Sequence, residues 1–326
     1  MNEQKPALSH RLRLSAWWPL IVGMLVGVAF RLAFSGKPHD ALAAMTGAFI
    51  YVSPVIVGAV TVYVAERHKR RSWGYYFGAG FLANVLYILG TLLIMIEGLL
   101  CGIIVTPLFA TLGGIGGLIM GLVCRLTNWP KRTLYGLGIL PFMLAAAETG
   151  VPLPERVDSV ERTIFINAAP ERIWRELMRA ENIRAEEIDR AWLFRIGVPL
   201  PLAGVARQYG GELLRRVTMG KGVYFDQVAA DWQENRRVRW KYRFYEDSFP
   251  PYALDEHVVI GGHYFDLRET AYVLSPRGGR TALTVRIQYR LSTRFNWYAD
   301  PVARALFGDL EDVNLEYYRR RSEAAP

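Results

Sequence analysis

The sequence predicts a helical membrane-spanning unit followed by an α+β unit built on an antiparallel sheet. Three observations lead to this prediction: long apolar stretches fill the first half, charge is divided unequally between the halves, and the second half alternates apolar and polar residues before a long final helix. Residues 1–150 contain 12 Lys and Arg but only 5 Asp and Glu, whereas the remaining residues contain 27 and 25. A basic excess between apolar stretches is typical of a membrane topology signal rather than of nucleic-acid binding.

Five apolar stretches divide the predicted transmembrane domain, residues 1–149, into about five helices. They comprise residues 14–34, 41–65, 75–96, 99–124 and 133–147. A helix needs about 20 apolar residues to cross the hydrocarbon core, so the first four are long enough. The fifth is short, with Pro141 inside it and Glu148 just after it. Because no A-x-A site follows the first stretch, an uncleaved helix is favoured over a signal peptide.

Basic residues set the predicted orientation in the membrane. Ten lie on one side and two on the other; the ten are Lys5, Arg11, Arg13, Arg67, Lys69, Arg70, Arg71, Arg125, Lys131 and Arg132, and the two are Arg31 and Lys37. The positive-inside rule therefore predicts a multi-pass protein of a cell inner membrane with a cytoplasmic N-terminus. If the fifth stretch spans, the C-terminal domain is periplasmic or extracytoplasmic, as we expect; otherwise it is cytoplasmic.

Few residues in the apolar stretches suggest chemistry. Glu97, followed by Gly98, is interpreted as a turn at the far interface, with a proton-relay role as the alternative. The run "GGIGGLIMG" lacks the lysine of a phosphate loop, and its four-residue glycine spacing predicts close helix packing at Gly113, Gly117 and Gly121. No span carries the paired charges expected of an ion pathway.

A linker at residues 150–157 is predicted to lead into a second domain, residues 158–326. The run "SVERTIFINAAPERIWRELM" predicts a strand followed by a helix that Pro170 opens, with Ile173, Trp174, Leu177 and Met178 on its apolar face. Both cysteines lie in the apolar stretches of the first half, so this domain has none for a disulfide, a zinc motif or a nucleophile.

Two strands and a final helix follow. Val238, Trp240, Tyr242 and Phe244 alternate with basic residues in "RVRWKYRFYE", and a second inward series comprises Leu283, Val285, Ile287, Tyr289 and Leu291. The final helix repeats apolar residues at helical spacing, namely Val302, Leu306, Leu310, Val313 and Tyr317, and ends in arginines.

This order of elements resembles the SRPBCC or START-like superfamily, the helix-grip fold of polyketide cyclases, lipid-transfer domains and coenzyme-Q-binding proteins. The resemblance covers residues 155–323 and is carried by "INAAPERIW", by "GGRTALTVRIQYRLS" and by the final helix. It implies a curved antiparallel sheet that grips the last helix, with an apolar cavity between them. The family has no universal catalytic residues to carry over.

The charged run "DEHVVIGGHYFDLRE", residues 255–269, predicts a hairpin with a two-residue turn at Gly261-Gly262. In that register His257 faces Asp266 and Asp255 faces Arg268, all four on the face opposite Val258 and Ile260. One interpretation is a surface hairpin held by charge; another is a cavity rim on which Asp255 and Arg268 orient a ligand, or on which His257 and Asp266 act as an acid/base pair. No metal site is predicted, since His257 and His263 point to opposite faces and no compact ligand motif is present.

Aromatic residues on inward faces are the other candidates for ligand contact, with simple core packing as the alternative. They are Trp174, Trp240, Tyr242 and Tyr289. The basic and aromatic run "RRVRWKYR" is interpreted as a solvated strand face, because the near-neutral charge of this half argues against nucleic acid as a partner. Anionic lipid headgroups are a further possible contact of that face.

The sequence thus predicts a membrane-anchored domain that binds a hydrophobic small molecule or lipid in an internal cavity, with no cofactor. Two alternatives stay open. One is an enzyme of the cyclase or dehydratase type using His257 with Asp266, and the other is a membrane-anchored interaction domain without a ligand.

Overall fold

The computed structural model describes residues 7–38, 40–127, 136–251, 253–255 and 257–324, and for residues 7–16 and 137 the backbone alone. The chain forms two compact units, Met1–Pro152 and Leu153–Pro326, which we describe separately. The division falls within residues 150–157, and the first strand of the second unit begins at Glu155, before the predicted linker ends.

The first unit is helical. Its elements are α1 (Ala7–Ala33), a π-helical turn (Ala48–Val52) continuous with α2 (Ser53–Glu66), α3 (Trp73–Leu93), α4 (Leu99–Thr127), a 3₁₀ turn (Leu137–Ile139) and α5 (Leu140–Glu148). Three of the described helices are long and apolar enough to cross a membrane, namely Ala48–Glu66, Trp73–Leu93 and Leu99–Thr127, and Trp17–Ala33 is a shorter apolar helix. The expected fifth span is not a full helix: α5 has nine residues, about 14 Å of helix against a hydrocarbon core of about 30 Å. Residues 133–135 of that stretch lie outside the described part.

Glycines let the helices of this unit approach closely, as their spacing in α4 predicts. A methyl group at Gly113 would overlap the side chain of Asn84, and one at Gly117 or Gly121 would overlap the carbonyl oxygen or the ring of Tyr76. Because no side chain intervenes, the backbone of α4 packs directly on α3. The predicted packing role of the three glycines is confirmed.

One ion pair in this unit was not predicted. Arg31 near the end of α1 forms a buried ion pair with Glu97, in the turn between α3 and α4. The Arg31 guanidinium also donates to the carbonyl oxygen of Phe34 at 3.0 Å. The two residues are 66 positions apart and are brought together by the packing of α1 against α3. No local sequence pattern therefore predicts the pair.

Polar contacts identify the two ends of α2. At its C-terminal end, the Arg125 guanidinium of α4 donates to the carbonyl oxygen of Arg71 at 2.9 Å. At its N-terminal end, the Glu148 carboxylate accepts hydrogen bonds from the backbone amides of Gly47 and Ala48, each at 2.8 Å. Glu148 therefore caps exposed amides at the positive end of this helix, where a negative charge is stabilising.

The second unit is an eight-stranded antiparallel sheet with a long C-terminal helix. Its elements are β1 (Glu155–Ile166), α6 (Pro170–Met178), β2 (Arg179–Ala180), α7 (Ala185–Ile188), α8 (Trp192–Arg195), β3 (Pro201–Tyr209), β4 (Glu212–Met219), β5 (Tyr224–Gln233), β6 (Arg237–Arg243), β7 (Phe265–Arg277), β8 (Arg280–Ser292) and α9 (Asn296–Glu323). The strand order is β1-β8-β7-β6-β5-β4-β3-β2, and α9 packs on β1 and β8. This is the helix-grip arrangement that the order of elements in the sequence implies.

The core lies between the inner face of the sheet and the helices. Trp240 is fully buried, and the predicted inward series of β8 is buried at all five positions. Strict alternation produces this result, because successive side chains on a strand point to opposite faces. Three predicted members of the α6 face, Ile173, Trp174 and Leu177, pack into the same core.

The inner face of α9 differs from the one predicted from its aliphatic residues. The buried residues of the helix are Asp300, Phe307, Gly308, Glu311, Leu315, Tyr317, Tyr318 and Ser322. Of the predicted series only Tyr317 is buried, while Leu310 and Val313 are half-buried. The helix is rotated because its buried polar groups find partners on the sheet: Asp300 accepts from Tyr289, and Tyr318 meets Arg215.

Glycine packing in α4 gives a stability prediction with a built-in control. Gly117→Ala should destabilise the protein by about 1–3 kcal/mol, because the new methyl group meets the carbonyl oxygen of Tyr76, which belongs to a packed helix. Gly78→Ala in α3 makes the same change where nothing lies within 4 Å, so it should stabilise by up to about 1 kcal/mol through helix propensity. Thermal unfolding of the full chain in detergent measures both, and equal shifts for the two variants would contradict close α3–α4 packing.

Candidate functional site

The predicted hairpin at residues 255–269 is wrong. The described residues between 244 and 264 form an irregular connection, β7 begins at Phe265, and Asp266 lies opposite Arg290 of β8 rather than opposite His257. Gly262 does close a tight turn, since its amide donates to the carbonyl oxygen of Val259 at 3.0 Å. The two possible pairings of this segment differ in their number of hydrogen bonds. β7 pairs with β8 along its whole length, and this pairing forms more backbone hydrogen bonds than a short local hairpin would.

The four charged residues of that run are consequently dispersed. Asp255 and His257 lie in the irregular connection, where the His257 amide donates to Asp255 Oδ1 at 3.0 Å. Asp266 and Arg268 lie in β7, where Arg268 Nε is 3.7 Å from Asp266 Oδ2 and the Arg268 side chain is about half exposed. Burial raises the pKa of Asp266, against the opposing effect of Arg268 and Arg290. The structure therefore does not align His257 with Asp266 as an acid/base pair.

The four aromatic candidates all face the interior of the second unit. Trp174, Trp240 and Tyr289 belong to its core, and the Tyr289 hydroxyl donates to Asp300 Oδ1 at 2.9 Å. Asp300 also pairs with Arg156 at 2.9 Å, so this end of the core is satisfied without a ligand. Tyr242 belongs instead to a group of polar residues in the interior, beneath α9.

That group, which we call the Arg215 cluster, brings polar side chains from four strands and α9 together in the interior. Its members are Arg215 of β4, Gln227 of β5, Tyr242 of β6, Thr270 and Tyr272 of β7, and Tyr318 of α9. The Tyr242 and Thr270 hydroxyls are 2.5 Å apart, and the rings of Tyr272 and Tyr318 meet edge to face at 5.9 Å.

Arg215 is the unusual member of the cluster. Its side chain is 7% exposed, it donates to the Tyr318 hydroxyl at 3.2 Å, and within the described chain its Nε has no partner. The guanidinium lies over Gly204 of β3, where a methyl group would sit 2.6 Å from Nη2. Burial lowers the pKa of Arg215 but the tyrosines around it outweigh this effect, so the net direction is upward and the guanidinium is charged.

A buried guanidinium without a carboxylate partner is costly, since removing one partner of a buried ion pair costs about 3–5 kcal/mol. Two neighbours add to the deficit: Gln227 Oε1 and Trp240 Nε1 also lack hydrogen-bond partners among the described residues. Buried polar atoms are normally satisfied, so such a cluster calls for a further polar group, from water or from a ligand. Sequence reasoning missed Arg215, although it lies on the inward register of β4 between Leu213 and Val217.

A second unsatisfied group lies on the inner face of α9. Glu311 is fully buried, its Oε1 accepts from the amide of Ile287 at 3.0 Å, and its Oε2 has no partner within the described residues. Burial raises the pKa of Glu311 to about 7, with the Ile287 hydrogen bond and Arg162 opposing the rise. The aliphatic pattern of the helix conceals this residue, because it is a charge on the face that packs against the sheet.

A groove on the opposite face of the sheet has a different character. It has a volume of about 640 Å³ and is lined by residues of β3, β4 and β5, Arg216 and Asp226 among them. These two form an ion pair in which Arg216 Nη2 donates to Asp226 Oδ2 at 3.1 Å, and the Tyr245 hydroxyl donates to the same oxygen at 2.6 Å. Arg216 and Asp226 neutralise each other at the groove and both are hydrogen-bonded, whereas the buried guanidinium of Arg215 has no countercharge beside it, so we place the candidate site in the interior, at the Arg215 cluster.

Comparisons with known proteins give structural likeness only. No family model matches the chain, and no curated protein matches it. Similar solved structures include a START superfamily protein from Mycobacterium smegmatis (17% identity, TM-score 0.33, covering 51% of this chain and 97% of that one). The Zhui aromatase/cyclase from Streptomyces sp. R1128 is another (11% identity, TM-score 0.29, covering 52% and 98%). At these values the likeness carries no conclusion about activity, and the helix-grip assignment rests on the strand order and on α9.

Glu311 gives a prediction about stability and pH. Because its folded pKa lies near 7 and the unfolded value near 4.3, the native state binds the extra proton between them, and the wild type loses stability as pH rises through this range. Glu311→Gln removes that loss, so we expect it to exceed the wild type in stability above pH 7, by on the order of 1–3 kcal/mol, and to match it near pH 4.

Thermal unfolding of the full chain across this pH range measures the effect. Glu234→Gln is the control, because it neutralises an exposed carboxylate in the turn between β5 and β6 that is not among the groups acting on Glu311, and it should leave the pH dependence of the wild type in place. A difference between Glu311→Gln and wild type that stays constant with pH would contradict the assignment of a raised pKa.

Proposed function

We propose that the second unit binds an amphipathic small molecule between its sheet and α9, and holds the molecule's acidic or negatively charged group at Arg215. The observation that carries this proposal is the buried guanidinium whose Nε has no partner among the described residues. A carboxylate or phosphate supplies both the countercharge and the acceptor that Arg215 lacks, and such charge-assisted hydrogen bonds are about twice as strong as neutral ones.

The apolar body of the ligand would lie against the aromatic and aliphatic side chains of the core. The rings of Phe225, Tyr242 and Phe244 form one such surface beside the cluster, with centroids 5.6 to 6.0 Å apart. An apolar site with a few polar groups that fix orientation is the usual form of a small-molecule site.

We further propose that the first unit anchors this domain in a membrane, with the domain on the side opposite the basic loops. The three long apolar helices support the anchoring. The side is supported by two contacts: at Arg125 the chain lies beside Arg71, and at Glu148 it lies beside Gly47, at the other end of α2.

Arg125 and Glu148 therefore contact opposite ends of the segment Ala48–Glu66. Phe142 lies at the same end as Glu148, since its ring is 5.3 Å from that of Phe34, whose ring in turn meets that of Phe49. The segment from Ala48 to Glu66 is about 28 Å long, close to the thickness of a hydrocarbon core. We therefore propose a fifth crossing between Arg125 and Glu148.

The binding proposal is favoured over the enzyme alternative that relied on His257 and Asp266. That alternative needs the two side chains to face each other, and the register of β7 places Arg290 opposite Asp266 instead. The interaction-domain alternative, in which the interior is only packed core, gives the unpartnered polar atoms of the Arg215 cluster no role, and we therefore favour binding.

Reporter fusions test the proposed topology. A reporter that is active only outside the cytoplasm should be active after Pro326 and inactive after Arg71, because the chain crosses once more between Arg125 and Glu148. The same pair of fusions with a reporter that fluoresces only in the cytoplasm should give the opposite pattern. Activity of the first reporter at both positions, or at neither, would contradict the proposed side of the domain.

Substitutions at Arg215 test the binding site. Mass spectrometry of small molecules extracted from purified full-length protein should find a stoichiometric acidic amphiphile in the wild type and lose it in Arg215→Met. Because removing an unpaired buried charge relieves its desolvation cost, this variant should match or exceed the unfolding temperature of wild type from which the amphiphile has been removed. Loss of ligand without loss of stability separates a binding role from a structural one.

Gly204→Ala keeps the charge but displaces the guanidinium, since the new methyl group lies 2.6 Å from Nη2. It should release the amphiphile as Arg215→Met does, whereas Gly220→Ala, whose methyl group meets nothing closer than 3.7 Å, should retain it. A wild type that carries no acidic amphiphile, or an Arg215→Met variant that carries as much as wild type, would argue against the site.

A further inference from the structure

The inner face of α9 meets polar groups of opposite charge. Tyr318 accepts a hydrogen bond from Arg215, whose Nε has no partner in the described part of the chain, and Glu311 presents a carboxyl oxygen that has none there either. These two helix positions are seven residues, or two turns, apart, which corresponds to about 10 Å along the axis. Leu315 lies between them on the same buried face.

The strands that face α9 also present polar groups at two separate places. Near Tyr318 it offers the polar side chains of the Arg215 cluster, and near Glu311 it offers the backbone amide of Ile287. Between the two polar ends the interior is lined mainly by the apolar side chains of the core, and the indole nitrogen of Trp240 and the hydroxyl of Tyr317 also lack partners among the described residues. A guanidinium and a carboxyl that do not meet each other therefore mark the two ends of one apolar interior.

We propose that the ligand is an elongated amphipathic acid whose acidic end is bound at Arg215 and whose second oxygen, a carbonyl or hydroxyl further along the chain, accepts a hydrogen bond from the carboxyl group of Glu311. This inference rests on the binding function proposed above and adds the second contact and the spacing between the two polar groups. The site then selects among acids of equal length by the position of the second oxygen.

The surroundings of Glu311 support its role as the donor. The charged groups that act on it are Arg162 and Glu161 of β1 and Asp312 of α9, while β8 contributes the Ile287 amide. The acidic groups of α6 and α7, Glu176 and Glu187, act instead on Tyr317.

Arg162, the cation that acts on Glu311, lies with its Nε 3.7 Å from Asp312 Oδ1, so its charge is shared between two carboxylates. Since burial raises the pKa of Glu311 to about 7, its carboxyl is protonated in mildly acidic solution and donates from Oε2 while Oε1 accepts from Ile287.

Two measurable properties follow. Affinity for an acid that carries a suitably placed second oxygen should exceed affinity for the plain acid, and this advantage should fall as pH rises through 7, where Glu311 becomes an acceptor only. The ratio of the two affinities isolates the effect, because ionisation of the acidic end at Arg215 affects both probes equally.

The experiment uses full-length protein in detergent with hexadecanoic acid and a series of oxo-hexadecanoic acids whose carbonyl is moved along the chain. Calorimetric titration at pH 6 and pH 8, either side of the Glu311 value, should show one isomer bound about five- to tenfold more tightly than the parent acid at the lower pH, which is the ratio that one hydrogen bond supplies. At the higher pH the ratio should approach one.

Glu311 variants separate the roles of charge and hydrogen bonding. Glu311→Leu should bind all isomers and the parent acid equally, because neither donor nor acceptor is left. Glu311→Gln keeps an amide donor, so it should retain the preferred isomer at both pH values. Glu234→Gln neutralises an exposed carboxylate in the turn between β5 and β6, away from the groups that act on Glu311, so it is the matched control and should behave like wild type.

The possible failures are distinct. Binding of hexadecanoic acid that requires Arg215 but shows no preferred isomer would overturn this inference and leave the proposed function standing. Equal binding of hexadecanoic acid by wild type and Arg215→Met would count against the binding site at Arg215 itself. A preferred isomer whose advantage is the same at both pH values in the wild type would show that Glu311 is not the donor.

Discussion

The long helix α9 is enclosed by the sheet, so each polar group on its inner face must be satisfied inside the domain rather than by water. Asp300 meets Tyr289 and Arg156, and that end of the interior is closed by hydrogen bonds and an ion pair. Glu311 and Tyr318 meet partners that do not complete their requirements, an amide in one case and an unpaired guanidinium in the other. The packing of one helix thus divides the interior into a satisfied end and an unsatisfied one. We place the binding function at the unsatisfied end. A core with a purely structural role would be expected to have apolar residues there, because they pack without a desolvation cost.

The sequence predicts the parts of this fold that local periodicity controls. Alternation in β6 and β8 follows from the pleat of a strand, and the buried indole of Trp240 and the buried series of β8 confirm it. The four-residue glycine spacing in α4 likewise predicts a packing surface directly. Helix backbones can approach closely only where side chains are absent along one face of the helix, and glycines at this spacing provide such a face. In both cases each residue reports on its own environment, and no partner from elsewhere in the chain has to be known.

Properties that depend on distant partners were not predictable in the same way. The turn at Gly261-Gly262 is a real local signal, but the strand after it joins β8, whose full-length ladder exceeds anything a local hairpin offers. Arg31 and Glu97 pair across 66 positions of sequence. Arg215 was concealed for another reason. Its register places it inward between two apolar residues, and a charge in such a position is either a misassigned register or a buried site. Only the position of α9, with Tyr318 above the guanidinium, distinguishes the two.

The pair of Arg31 with Glu97 also changes how the basic residues bear on topology. Arg31 was counted on the side opposite the ten basic residues, but its charge is compensated by Glu97 and its donors are directed to Phe34 and Ile96. Lys37 then remains as the opposing charge from that count, which strengthens the bias of the positive-inside rule. Glu148 acts in the same direction. Its carboxylate binds the amides of Gly47 and Ala48 at the N-terminus of the segment that α2 continues, and the other end of that segment is followed by Arg67 to Arg71. The hydrogen bonds thus place Glu148 at the end of α2 that lies away from this group of basic residues.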